Sequence, residues 1–124
     1  MTRSHAVAQG CCPPLDTEPL GEAVAADLAR AFKALGDPVR LRLLSLIASY
    51  DGGEVCVCEL IGAFTLTGPT ISHHLRVLRE AGLIEGERRG TWVYYRAVPK
   101  TLERLSALLD VRRSRHDAIE RSVS

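Results

Sequence analysis

Residues 69–83 constrain the fold more than any other stretch of the chain, because their spacing predicts one short amphipathic helix. At about 100° per residue, Ile71, Leu75 and Leu78 fall on a single stripe, which suits packing against a core. Polar side chains, among them His73, fall on the opposite side of the same helix. Any fold of this chain must therefore bury the stripe and leave the polar side open to solvent or to a partner.

The ends of this helix carry residue types that favour helix termini. Thr67 or Gly68 can cap the start, and Pro69 suits the first turn, where a backbone amide would lack a partner. Gly82 stands where a residue of left-handed conformation commonly ends a helix. Local signals thus predict the bounds of this helix without reference to the rest of the chain.

Helical spacing predicts further helices on both sides, and alternation predicts one hairpin. The predicted order is a helix over residues 18–35, a mostly buried helix opened by Asp37-Pro38, a short helix over 54–61, the amphipathic helix, a hairpin over 83–97 with its turn at Arg89-Gly90, and a last helix from Pro99. The predicted fold class is mainly α with a small β-hairpin, an α+β chain.

Residues 54–61 fit two patterns at once. Residues 55–58 alternate as in a strand, whereas residues 59–61 have a helical composition. We interpret the segment as a short helix whose start holds the two cysteines.

Length and composition indicate one small domain with flanking segments. A chain of 124 residues, 46% of them hydrophobic, can bury a modest core, which a dimer would enlarge. We expect a flexible N-terminal arm over 1–17, a folded domain over 18–111 that includes the dimer contacts, and a polar tail over 112–124. The sequence has no apolar run near the ~20 residues that cross a bilayer and no signal-peptide pattern, so we expect a cytoplasmic protein without a membrane partner.

The net charge is only +1, but positive charge concentrates around the amphipathic helix. Residues 65–100 carry six Lys or Arg against three Asp or Glu, whereas residues 1–64 carry five against eight. A short helix, a turn, an amphipathic helix and a basic hairpin make a winged helix-turn-helix, an architecture that binds DNA. The side chains expected to meet base edges or phosphates are Thr70, Ser72, His73, Arg76, Arg88 and Arg89.

Four cysteines indicate metal or redox chemistry, because a cytoplasmic chain rarely keeps structural disulfides. Cys11 and Cys12 are adjacent on the predicted arm, and sulfur suits soft ions: arsenite or antimonite takes three thiolates, whereas cadmium, lead or zinc can take four. In a regular helix Cys56 and Cys58 would lie ~200° apart. Either the first turn is irregular or only one of them binds, and we favour Cys56 as the ligand, with Cys58 facing the core.

Four segments in the same order closely resemble the ArsR/SmtB family of bacterial metal-responsive repressors: residues 32–44, 56–60, 69–84 and 90–95. The Cys-Val-Cys run resembles the arsenic and cadmium/lead branches in particular. The resemblance implies a homodimeric repressor that leaves its operator DNA when it binds a toxic metal or metalloid. One departure is Gly68, since the family usually has glutamine there, so a contact often made at that position is missing or replaced.

The predicted inducer is arsenite or antimonite, As(III) or Sb(III), with Cys11, Cys12, Cys56 and Cys58 as the candidate ligands. We expect the site to join the arm of one subunit to Cys56 of the other. Two alternatives of the same fold stay open: a cadmium- or lead-responsive repressor, with Cd(II) or Pb(II) held by all four cysteines, and a thiol–disulfide sensor. An enzyme is not expected, because the sequence has no phosphate-binding loop and no nucleophile motif.

Overall fold

The structure is a computed structural model that describes residues 14–111. Within these residues the chain forms five α-helices and three strands: α1 Glu22–Leu35, α2 Pro38–Ser49, β1 Val55–Cys56, α3 Val57–Gly62, α4 Gly68–Glu80, β2 Ile84–Arg89, β3 Trp92–Ala97 and α5 Pro99–Leu109. The α3–turn–α4 pair followed by the β2–β3 hairpin is a winged helix-turn-helix, so the predicted α+β fold class is confirmed. The predicted arm, up to residue 13, and the whole predicted tail lie outside the described residues.

Helix α2 begins at a capped proline, as its sequence predicts. The backbone amides of Val39 and Arg40 donate to Oδ1 of Asp37 over 2.8 and 3.2 Å. Asp37 has an extended backbone, and Pro38 follows where no amide donor is needed. Helix α2 is less buried than predicted, because only one of its faces meets the core and Leu41 is 53% exposed.

Helix α4 has the predicted caps and is shorter than predicted. The side chain of Thr67 accepts a hydrogen bond from the backbone amide of Thr70, and the helix ends at Glu80. Gly82 has a φ of 79°, the left-handed conformation expected of a residue that ends a helix. Helix α1 likewise begins at Glu22, four residues after its predicted start.

The sheet has the antiparallel order β1–β3–β2. Its first strand corrects the prediction of a helix throughout residues 54–61, because Val55 pairs with Tyr95 and Cys56 with Tyr94 before α3 begins. Val55 is 1% exposed, and the ladder to β3 satisfies backbone groups at this buried position. The alternating and the helical pattern of this segment are therefore both real, one after the other.

The chain divides into two compact units, residues 27–99 and the described residues 14–26 with 100–111. The largest fully buried side chains all belong to the first unit: Leu43, Ile47, Val55, Leu60, Ile71, Leu75, Leu78, Leu83 and Ile84. In the second unit the backbone amide of Leu15 donates to the carbonyl of Leu108 over 3.0 Å. Among the described residues, no helix combines the length and the apolar character that a membrane span requires.

Candidate DNA-binding surface and thiol site

Helix α4 presents the predicted polar side chains on the side away from its apolar stripe. Ile71, Leu75 and Leu78 are at most 1% exposed, whereas Ser72, His73 and Arg76 are exposed. Thr70 is exposed as well, and its hydroxyl oxygen accepts a hydrogen bond from Thr67 over 2.9 Å, which leaves its own proton available to an acceptor. Hydroxyl, imidazole and guanidinium groups on one helix surface can donate to phosphates and base edges.

His74, the second histidine of α4, is half-buried and contacts another side chain of the protein. Its Nδ1 lies 3.3 Å from Nη1 of Arg40, whose Nε donates to the carbonyl of Ala34 over 2.6 Å. Arg40 thereby links the last turn of α1 to α4 through a single guanidinium. Sequence reasoning missed this role, because Arg40 lies 34 residues from His74 and its spacing gives no sign of the partner.

The two arginines at the end of β2 have different surroundings. Arg88 is exposed and forms no ion pair within residues 14–111. Arg89 donates from Nη1 and Nη2 to the two carboxylate oxygens of Glu54, over 2.9 and 3.0 Å, and from Nη2 to Glu87 over 2.9 Å. Arg89 was predicted to meet DNA, and in this structure carboxylates accept hydrogen bonds from both of its terminal nitrogens.

The ion pairs on this sheet face change the acidity of their members. The hydrogen bond from Arg89 is the main cause that lowers the pKa of Glu87 below its ordinary value of 4.5. Hydrogen bonds to Glu54 and then to Glu87 raise the pKa of Arg89. Arg96 extends the network, since its Nε donates to Glu85 over 2.8 Å. Three glutamate side chains, Glu54, Glu85 and Glu87, therefore contact two arginines on this face.

The two described cysteines meet at the junction of β1 and α3. Cys56 caps the helix with an extended backbone, φ −69° and ψ 144°, and the backbone amide of Cys58 donates to its sulfur over 3.2 Å. The Sγ atoms of Cys56 and Cys58 are joined as a disulfide. Because Cys56 is not helical, the ~200° separation of a regular helix does not apply. The irregular first turn is the alternative that this structure adopts.

The structure buries Cys56, the expected ligand, and exposes Cys58, which is the reverse of the predicted exposures. Cys56 is 8% exposed, whereas Cys58, which we expected to face the core, is exposed. The reason is that Cys56 belongs to a strand that lies against β3, while Cys58 lies in the first turn of a helix with an open side. Within residues 14–111 no three Cys, His, Asp or Glu side chains converge to hold a metal ion, and Cys11 and Cys12 lie outside that range.

The sequence matches the model of a family described as bacterial regulatory protein, arsR family, over residues 37–85. The chain is 42% identical over 82 residues to an uncharacterized HTH-type transcriptional regulator of Methanocaldococcus jannaschii, an alignment that covers 66% of this chain and 90% of that protein. It is 49% identical over 78 residues to the arsenic resistance transcriptional regulator ArsR1 of Pseudomonas putida. That alignment covers 63% of this chain and 59% of the relative, so the chain spans less than two thirds of ArsR1.

A solved structure shares the fold over most of the described chain. It is the solution structure of a homodimeric winged helix-turn-helix DNA-binding domain from Mycobacterium bovis, described as a possible ArsR-family transcriptional regulator. The TM-score is 0.59 at 34% identity, and the match covers 82% of this chain and 93% of that one. These relatives are transcriptional regulators, and none of the three is described as an enzyme.

Proposed function

Because the chain belongs to the arsR family of bacterial regulatory proteins, we propose that it is a repressor that leaves its operator when its cysteines bind arsenite or antimonite. The observation that carries the proposal is the meeting of Cys56 and Cys58 at the start of α3. In their reduced form, two sulfurs placed this close together can bind one thiophilic ion. Helix α3 precedes the recognition helix α4 in the helix-turn-helix, so the ion would act on the DNA-binding unit itself.

The DNA-binding half of the proposal rests on α4 and the hairpin. Ser72, His73, Arg76 and Thr70 would meet base edges or phosphates in the major groove, and Arg88 the neighbouring phosphates. A dimer would place two such helices about one turn of DNA apart, roughly 34 Å. The homodimeric state of the Mycobacterium bovis domain supports a dimer here. So do three apolar side chains of one compact unit, Leu15, Val24 and Leu109, which are 50%, 38% and 55% exposed.

The sensing half needs three sulfurs for a trivalent metalloid. Arsenite, As(OH)₃, would react with three thiols to form three As–S bonds and release three water molecules. Cys56 and Cys58 can supply two of these thiols, and Cys11 or Cys12, of the same or of the partner subunit, the third.

Ligation would disturb the cap of α3. The Cys56 sulfur that accepts the Cys58 amide is the sulfur that would bind the ion, and As–S bonds would fix where that sulfur can lie. Forming the As–S bond therefore changes the first turn of α3 and the position of α4 relative to DNA. The ArsR1 relative, an arsenic resistance regulator, supports this choice of inducer.

The test is operator binding by fluorescence anisotropy under reductant, with arsenite, antimonite, cadmium or lead added. We expect arsenite to release the wild-type chain and to leave Cys56→Ser bound. Cys11→Ser/Cys12→Ser should need more arsenite, and Ser45→Ala, a change at an exposed serine of α2, should behave as wild type. If only cadmium or lead released the operator, and all four cysteines were required, the chain would be a repressor that responds to these divalent ions. Operator binding that no ion weakens would contradict metal sensing.

A second candidate function is thiol–disulfide sensing, which the joined sulfurs of Cys56 and Cys58 favour. Oxidised glutathione would take two electrons and two protons from the pair, giving one protein disulfide and two reduced glutathione molecules. Loss of operator binding on that treatment without metal, restored by a dithiol reductant, would support it. Binding that persists in the oxidised protein would exclude it.

A further inference from the structure

One face of the sheet brings Cys56 close to Arg89 of the β2–β3 hairpin, which forms the wing of the fold. Cys56 pairs with Tyr94, and Tyr94 pairs with Glu87 on its other side, so the three side chains form one row across the sheet. Paired residues of antiparallel strands share a face. Glu54 precedes Cys56 by two residues and lies on the same face, where it contacts Arg89. The cysteine proposed to sense the inducer and the arginine predicted to contact DNA are therefore neighbours within residues 27–99.

The guanidinium of Arg89 donates from both of its terminal nitrogens inside the protein. It forms a two-pronged pair with Glu54, a further hydrogen bond with Glu87, and lies 4.6 Å from the ring centre of Tyr94. A DNA phosphate accepts from the same terminal nitrogens as a carboxylate. Arg89 can therefore bind Glu54 in this geometry or bind DNA with both terminal nitrogens, but it cannot do both.

We propose that Glu54 competes with a DNA phosphate for Arg89 and that this competition carries the state of the Cys56 site to the wing. The second part of the statement rests on the proposed metalloid-sensing function, and the first part does not. In the DNA-bound state Arg89 turns from Glu54 to a phosphate beside the hairpin. In the inducer-bound state Glu54 holds Arg89, and the wing loses one phosphate contact.

The connection from Cys56 to Glu54 is short and mechanical. Strand β1 has only two residues, held by their pairing with Tyr95 and Tyr94, and Glu54 directly precedes them. A change at the Cys56 cap moves this strand as a piece, since no loop separates the thiol from the carboxylate. Arg89 lies over Tyr94, the partner of Cys56, so the same shift changes the fit of the Glu54–Arg89 pair.

The matched pair of variants is Glu54→Gln and Glu85→Gln. Each removes one negative charge from the same sheet face and one carboxylate from Arg96, but only Glu54 also contacts Arg89. Under reductant and without inducer, we expect Glu54→Gln to bind operator about 3- to 10-fold more tightly than Glu85→Gln does. The excess should disappear when each variant is combined with Arg89→Gln, because Glu54 then has no Arg89 to withhold from DNA, and both variants still remove one carboxylate from Arg96. It should persist when each is combined with Arg88→Gln.

Two results would overturn the competition: equal affinities of Glu54→Gln and Glu85→Gln, or an excess that survives Arg89→Gln. The same titrations with arsenite test the coupling. We expect Glu54→Gln to bind arsenite as wild type does, measured by the ultraviolet absorption of As–S bonds, and to lose severalfold less DNA affinity on binding it. Full release of Glu54→Gln would overturn the coupling alone. A wild-type chain that arsenite does not release would contradict the proposed function, while the comparison without inducer still decides the competition.

Discussion

The charge of Asp37 makes the stability of the α2 N-terminus depend on pH. Its carboxylate accepts the amides of Arg40 and Val39, and the bond from Arg40 is the main cause that lowers the pKa of Asp37 below its ordinary value of 3.8. A lowered pKa means that the folded chain holds the charged form more strongly than the unfolded chain does. The stabilisation is therefore complete above the ordinary pKa and is lost as pH falls through the lowered one.

We expect Asp37→Ala to lower the melting temperature at pH 7 by on the order of 5 °C, because the amides at the start of α2 lose their acceptor. Asp37→Asn should lower it less, since the amide oxygen can still accept. The gap between wild type and Asp37→Asn should close as pH falls below about 3.8, as followed by thermal denaturation in circular dichroism. A gap of the same size at pH 7 and at pH 3 would contradict the role of the charge.

At the same scale, the cysteines show how one backbone angle changes a prediction. The helical interpretation separates Cys56 from Cys58, but the extended backbone of Cys56 brings their sulfurs together. The residue types and their spacing identified the pair, and the pairing of Cys56 with Tyr94 decided its geometry. That pairing joins positions 38 apart in the sequence, so no local pattern predicts it.

Among the elements, strands β2 and β3 approach closely where β2 has a glycine. A Cβ on Gly86 would lie 2.9 Å from Cε1 and 3.2 Å from Cδ1 of Tyr95, a ring that is only 8% exposed. The ring cannot yield without disturbing the core. We expect Gly86→Ala to lower the free energy of unfolding by about 1–3 kcal/mol, measured from urea unfolding curves.

The control is Gly62→Ala, at the last residue of α3, where a Cβ would meet no atom within 4 Å. Alanine favours a helix over glycine, so this variant should be as stable as wild type or slightly more stable. If both alanine variants had the same stability, close packing of Tyr95 against Gly86 would not be the reason for the glycine. The two strand-like runs around the Arg89-Gly90 turn predicted this hairpin, but they did not predict that contact.

At the scale of the whole molecule, the proposed metalloid sensing and DNA binding would be linked in both directions. If arsenite lowers operator affinity by some factor, operator DNA lowers arsenite affinity by the same factor. We expect arsenite titrations, followed by As–S absorption, to need proportionally more arsenite in the presence of saturating operator. Duplex DNA of equal length without the operator sequence should have a smaller effect. If operator DNA did not change the affinity for arsenite, the two binding events would not be coupled.

The sequence alone determined the features that depend on neighbours along the chain. The Asp37 and Thr67 caps, the left-handed Gly82 and the stripe of Ile71, Leu75 and Leu78 follow from spacings of three and four residues, and the structure confirms them. The family was identified separately, from the resemblance of four longer segments, whereas these local signals predicted the helices of the winged helix-turn-helix. They act within one or two helical turns, where few alternative partners compete.

Only the tertiary structure decided the contacts between distant residues. Strand β1 exists because β3 pairs with it, and Arg89 meets Glu54 across 35 residues because the sheet order places them side by side. Arg40 meets His74 across 34 residues for a similar reason. Each of these side chains has several possible partners of suitable charge along the chain. The packing of the core selects one of them, and a spacing pattern does not contain that choice.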